Sequence, residues 1–148
     1  MGLFLISVKI NMKKRTDTTK RRETMATTII IESGDIRLTA VLNDSETARA
    51  IAGLLPLEGS VNRWGEEIYF KVPLQRELDS EARDDMEVGE LGYWPTGSAF
   101  CIFWGPTPAS DGDKPRAAGP VNVIGTVEGD AALLSSTKNG DPIKVFAK

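Results

Sequence analysis

The sequence predicts a mainly β domain, a closed antiparallel β-barrel of about eight strands with two short helices as plugs. Three observations point there. Alternating and β-branched runs recur along the chain, separated by turns rich in Gly, Pro, Asn and Asp. The two stretches with helical spacing are short, and each lies between strands. Parallel crossovers would need more helix than that. The chain has 148 residues, 41% hydrophobic and 26% charged, enough to bury one substantial core. No apolar run approaches the ~20 residues that cross a bilayer.

Residues 27–32 are a β-branched run, and residues 37–42 alternate Leu38, Ala40 and Leu42 with Arg37, Thr39 and Val41. Ser33-Gly34-Asp35 between them is turn chemistry, so the pair reads as a hairpin. A helix follows. Asn43 with Glu46 gives a capping-box-like start, Ala48, Ile51, Ala52 and Leu55 recur at helical spacing, and Pro56 stops it. Residues 58–63 read as a short strand, Trp64-Gly65 as a turn, and residues 66–72 as a second strand. Ile68, Phe70 and Val72 share one face of it, and Glu67, Tyr69 and Lys71 the other.

Residues 79–90 carry six acids offset only by Arg83. They lack the D-x-D-x-D-G order of a calcium loop, so they read as a solvated connection. Residues 91–94 and 98–104 are the next strands, the latter apolar on both faces and suited to a strand covered on both sides. Residues 105–120 hold four prolines and three glycines and read as a surface loop, with a lid carrying Arg116 as the alternative. Residues 121–127 are a strand. Asp130 caps a short helix through Leu134, closed by Asn139-Gly140, and residues 143–146 are the last strand.

The chemistry available is narrow. With no histidine, Ser-His-Asp and Cys-His catalysis are excluded and zinc loses its commonest nitrogen ligand. The one cysteine, Cys101, lies between Phe100 and Ile102 and reads as a small buried hydrophobe. Both standard phosphate-cradling loops, G-x-G-x-x-G and G-x-x-x-x-G-K-[ST], are absent. No metal or cofactor is expected.

Charge is split. Residues 1–24 carry seven Lys and Arg against Asp17 and Glu23, whereas residues 25–148 carry 11 against 19 acids. An acidic body does not suit phosphate-backbone binding, so neither nucleic acid nor membrane is expected as a partner. In residues 1–24 the apolar stretch precedes the charges, the reverse of a signal peptide. They read as a basic, disordered extension ahead of a natural start at Met25, and the domain as residues 25–148 of a cytoplasmic protein.

Several words of the sequence resemble known ones. Gly97-Ser98-Ala99-Phe100-Cys101-Ile102 is similar to the cyclophilin G-S-Q-F-F-I strand, and Val123-Ile124-Gly125-Thr126-Val127-Glu128-Gly129 to V-F-G-x-V-x-x-G. A closer resemblance is to small bacterial and archaeal proteins of the cyclophilin-like family of unknown function. It rests on Val61-Asn62-Arg63-Trp64-Gly65-Glu66-Glu67-Ile68-Tyr69-Phe70, Gly92-Tyr93-Trp94-Pro95, Phe103-Trp104-Gly105-Pro106-Thr107-Pro108 and Val121-Asn122-Val123-Ile124-Gly125, in order over about residues 27–147. The resemblance implies a cyclophilin-like barrel and brings no established reaction.

Prolyl isomerisation needs only that an X–Pro amide be twisted over a barrier of about 18–20 kcal/mol, which a dry pocket and an aimed arginine can favour without acid or base. Of the cyclophilin pocket, Arg63 corresponds to the arginine of F-H-R. The F-M-x-Q-G-G string is missing, Ala99 and Cys101 replace the glutamine and second phenylalanine, and Val121 replaces the pocket histidine.

The expected function is binding of a small molecule or short peptide at the barrel face. The candidate residues are Arg63 for charge and donors, Asn122 as donor and acceptor, Tyr93 and Trp94 as an apolar wall, and Glu66. Glu66 and Glu67 point to opposite faces of a strand and cannot form one acid–base pair. The bland expectation leaves Glu67 solvated and has Glu66 closing the Trp64-Gly65 turn. The alternatives are a peptidyl-prolyl isomerase with Arg63 catalytic, and a non-catalytic interaction domain. The expected oligomeric state is monomer or weak homodimer.

Overall fold

The computed structural model describes residues 26–148; the basic extension read at residues 1–24 lies outside the described residues. In chain order the elements are β1 (Thr28–Ser33), β2 (Ile36–Leu42), α1 (Glu46–Ala52), β3 (Leu57–Ser60), β4 (Asn62–Arg63), β5 (Glu67–Lys71), β6 (Arg83–Asp85), β7 (Glu90–Trp94), β8 (Ala99–Phe103), β9 (Arg116–Glu128) and β10 (Pro142–Ala147). Short 3-10 helices span Pro95–Gly97 and Ala131–Ser136. The structure is mainly β and antiparallel, as expected.

The expected closed barrel is corrected. The hydrogen-bonded order is β3-β10-β1-β2-β9-β7-β8-β5-β4, an open path, with β6 pairing onto β9 from outside it. The ends of the path, β3 and β4, are consecutive in the chain, and Val61 between them explains why the sheet stays open. Its N–H donates to the Asp141 carbonyl and its carbonyl accepts from Gly140 N–H, each at 2.8 Å. The backbone there is committed to the turn before β10 instead of extending either ladder. One predicted strand over residues 58–63 is therefore two short ones.

Local differences have similar causes. The N-cap of α1 is Ser45, whose Oγ accepts from Ala48 N–H at 3.2 Å. Asn43 is already committed: its Oδ1 accepts from Ser45 N–H and its Nδ2 donates to the Val123 carbonyl. Asp130 caps as expected, with its Oδ1 accepting from Ala132 N–H, but the turn that it starts is a 3-10 helix ending at Ser136, ahead of Asn139-Gly140. Residues 116–120, read as loop, are the start of the 13-residue β9.

The sheet has two dry faces. On one, a large cluster includes Ile29, Ile31, Phe70, Phe100, Ile102 and Val145, joined by Ala48 and Ile51 of α1 and Leu134 of the 3-10 helix. On the other, Met86, Ala99, Cys101, Phe103, Ala117 and Val121 form a second cluster, with Tyr69, Trp94 and Val123 packed against it. The acidic connection over residues 79–90 supplies part of that cover, which corrects its reading as merely solvated. It carries β6, and its Met86 is 1% exposed. Two clips hold it down. Arg83 forks onto both oxygens of Glu90 at 2.8 and 2.7 Å, and Asp85 pairs with Arg116 at 3.1 Å. Arg116 also meets Asp111 at 2.9 Å, so it is a strand residue held by two acids, not a free cation on a lid. Among the described residues no helix is long and apolar enough to cross a membrane.

Gly125 marks the tightest approach in the sheet. It pairs with Leu42 of β2 and Leu91 of β7, and a Cβ there would lie 2.2 Å from the Val41 carbonyl oxygen. Backbone cannot move aside as a side-chain tip can. Gly125→Ala is expected to lower the unfolding free energy by about 3 kcal/mol, read from the midpoint of urea denaturation.

Candidate functional site

Three groups of polar residues are built around the sheet, and their states of satisfaction differ. The first is at the β4–β5 turn. Trp64 N–H donates to the Glu67 carbonyl at 2.9 Å, and Gly65 takes the turn at φ +61° with Thr107 packed where a Cβ would stand. Arg63 lies across this turn. Its Nε donates to the Gly65 carbonyl at 2.6 Å, and its Nη1 to the carbonyls of Ser135 and Thr137 at 2.8 and 3.0 Å. Its Nη2 meets Glu66 at 3.3 Å, and the guanidinium stacks 5.1 Å from the Trp104 ring centroid. Glu66 also accepts from the Trp104 indole N–H. Arg63 and Glu66 thus tie the hairpin to the 3-10 helix before β10.

The second group is Tyr93 and Asn122, which are cross-strand partners between β7 and β9 and are both fully buried. The Tyr93 hydroxyl donates to the Leu74 carbonyl at 2.5 Å and accepts from Arg76 N–H at 3.3 Å. The Asn122 Nδ2 donates to Thr47 Oγ1 and the Glu77 carbonyl, and its Oδ1 accepts from Asp79 N–H. Together they fasten the segment over residues 74–79 to the sheet and to α1. A wide groove of about 690 Å³ runs over residues 45–47 and 75–81, with the exposed acids Glu46, Glu77, Asp79 and Glu81 among its lining.

The third group is on the outer face. Trp94 follows Tyr93 on β7 and so points to the opposite side of the sheet. It meets Tyr69 of β5 edge-on, with ring centroids 6.1 Å apart and planes at 76°. These rings, with Trp64, Glu67, Cys101, Ala117, Ala118 and Val121, line a cavity of about 170 Å³. Glu67 is 4% exposed, and its Oε1 has no hydrogen-bond partner among the described residues. Burial pushes its carboxyl up from the ordinary 4.5 to about 8, against a smaller downward pull from a hydrogen bond with the Cys101 thiol. Burial, with the neighbouring Glu67 charge adding to it, likewise pushes the Cys101 thiol well above its ordinary value, so that sulfur is a protonated neighbour and not a nucleophile.

The five residues singled out from the sequence therefore fall in three places. Arg63 and Glu66 meet each other at the hairpin, Tyr93 and Asn122 meet each other beneath residues 74–79, and Trp94 alone lines the cavity. The Glu66 carboxyl bonds to Arg63 and to the Trp104 indole and does not close the Trp64-Gly65 turn, whose hydrogen bond runs from Trp64 N–H to the Glu67 carbonyl. Glu67, expected in solvent, is the group that sequence reasoning missed. The sequence held half of the signal, the unbroken apolar run of β8; the register that sets Glu67 opposite Phe103 of that strand is in the structure alone. Whatever covers Phe103 and Cys101 must cover Glu67 too. Among the described residues no group of three or more His, Cys, Asp or Glu could hold a metal ion.

Two outcomes follow from these environments. Arg63→Ala should cost about 2 kcal/mol of stability by leaving backbone carbonyls unpaired, measured by urea unfolding. The Glu67 carboxyl keeps its proton in the folded state to about pH 8, whereas the unfolded chain releases it near 4.5. Its raised value therefore favours folding most below the unfolded pKa, and that advantage is lost as pH rises towards 8. The slope has a ceiling of about 1.4 kcal/mol per pH unit. In Glu67→Gln, unfolding free energies between about pH 5 and pH 8 should lack this decline.

A family model described as Cyclophilin-like matches residues 25–146. A hypothetical protein from Archaeoglobus fulgidus, whose structure was determined in solution, is similar in both sequence and fold. It is 35% identical, with a TM-score of 0.70, over 83% of this chain and 95% of that one. No functionally curated protein matches. A family match over most of the length, joined to a solved relative of the same fold, shows that this chain belongs to the cyclophilin-like family.

Proposed function

We propose that the protein binds a small molecule, or one side chain of a short peptide, in the outer-face cavity between β5, β7, β8 and β9. The observation that carries this reading is the Glu67 carboxyl, buried beside aromatic rings with an oxygen left unpartnered. An unpaired buried polar atom costs stability, on the order of 1–3 kcal/mol. A cavity with apolar walls and one oriented polar group is the usual form of a small-ligand site. Trp94 and Tyr69 supply the wall and Glu67 the directional contact. Arg63, Glu66, Tyr93 and Asn122 act from outside the cavity, by fixing the hairpin and the segment over residues 74–79.

Prolyl isomerisation is the alternative, and the state of Arg63 weighs against it. An arginine that stabilises a twisting amide must aim free donors at the substrate. Here Nε, Nη1 and Nη2 all donate within the fold.

The test is an amide NMR titration with a library of small molecules and short peptides, Ala-Pro included. Shifts should cluster on Tyr69, Trp94, Cys101, Ala117 and Ala118, and Trp94→Ala should weaken the best ligand about tenfold, near 1.4 kcal/mol. Cis–trans exchange in the Ala-Pro peptide should stay at its uncatalysed rate. Cavity resonances that hold still across the library would refute the binding reading.

A further inference from the structure

We propose that the ligand taken by this cavity is a small organic ammonium ion, its charge met by the Glu67 carboxyl and the rings of Trp64, Tyr69 and Trp94. This rests on the cavity being a binding site.

Four observations converge on that chemistry. Among the described residues Glu67 is the only ionisable carboxyl in the lining, and none of them brings a Lys or Arg to the cavity as countercharge. Without a cation beside it the Glu67 carboxyl holds its proton to about pH 8. A cation seated against it favours the ionised form, so binding near neutral pH releases that proton to solvent. The bound species is the element of the site that can bring that cation. The walls are rings, and aromatic faces attract cations and repel anions, an effect that grows as water is removed. An anion would meet both the rings and the carboxyl on unfavourable terms.

The size agrees. A volume of about 170 Å³ equals that of roughly five or six waters, room for a compact organic group. The donor set is wrong for a bare metal ion. One carboxyl and one protonated thiol leave most coordination positions empty, and the remaining lining offers rings and methyl groups. A neutral hydrogen-bond acceptor is the competing occupant, because Glu67 in its acid form is a donor.

An isosteric pair separates the two. Choline and 3,3-dimethylbutan-1-ol differ by one charged nitrogen in place of a carbon, so shape and apolar area are matched. Both are titrated into the full-length chain near neutral pH, followed by amide NMR and calorimetry. The expected result is choline at least tenfold tighter than the alcohol, with shifts on Tyr69, Trp94 and Ala117. Glu67→Gln should erase the preference, and Trp94→Leu, which leaves the carboxyl in place, should weaken choline by a similar factor if Glu67→Gln does not fold. A third probe, an acetylated trimethyl-lysine amide, shows whether the head is best presented free or on a peptide; selective binding of either cation supports the proposal.

Equal or tighter binding of the alcohol overturns the charge assignment and leaves the cavity as a ligand site. No shift with any of the three probes, while other library compounds do move the cavity resonances, overturns it as well. Failure of the entire library is a different result, and removes the binding reading on which the proposal rests.

Discussion

The structure depends on one constraint: β8, set between β7 and β5, is dry on both faces. Every side chain of β8 is buried, which requires cover on both sides of the sheet. On one side it comes from the large cluster with α1 and the 3-10 helix. On the other it comes from Met86 and the segment carrying β6, from the start of β9, and from Tyr69 and Trp94. A sheet covered on one face alone would have left Glu67 in water and no cavity beside it. Covering the second face encloses a carboxyl that the strand alternation would otherwise present to solvent.

Against that background the polar side chains fall into two kinds. Arg63, Glu66, Tyr93 and Asn122 have partners for the groups they bring inside, and each links segments far apart in sequence. Arg63 reaches Ser135 and Thr137, and Asn122 reaches Thr47 and Glu77. They hold the fold through hydrogen bonds, those of Tyr93 and Asn122 made by fully buried side chains and those of Arg63 nearer the surface. Glu67 is of the other kind. It brings a carboxyl oxygen inside without a partner and depends on burial to keep its proton. Within one family fold, polar residues of similar appearance in the sequence thus serve opposite purposes, and the distinction is whether the hydrogen-bonding capacity is already used.

That distinction also bears on the family. The related Archaeoglobus fulgidus protein shares the fold at 35% identity. Of the cyclophilin pocket only Arg63 has a counterpart in the sequence, and its donors are consumed internally here. The fold is a shared feature, and what its outer face encloses depends on the side chains that β5, β7 and β8 carry there.

Much of the fold was legible from the chain. The strands over β1, β2, β5, β7, β8 and β10, the helix at Glu46–Ala52 and the cap at Asp130 follow from alternation, turn residues and capping chemistry, which act over a few residues. Burial of Cys101 followed from its apolar neighbours, and cover on both faces of β8 from its unbroken apolar run. Three things were decided only in three dimensions, each through partners distant in sequence. Val61 gives its backbone to Gly140 and Asp141, which leaves the sheet open. Residues 79–90 pack Met86 inward because Glu90 and Arg116 hold Arg83 and Asp85. Glu67 is buried because its neighbour across the strand pair is Phe103, a pairing that no local pattern contains. Local propensity determines what each segment is; the solvation of a strand's second face depends on what folds over it.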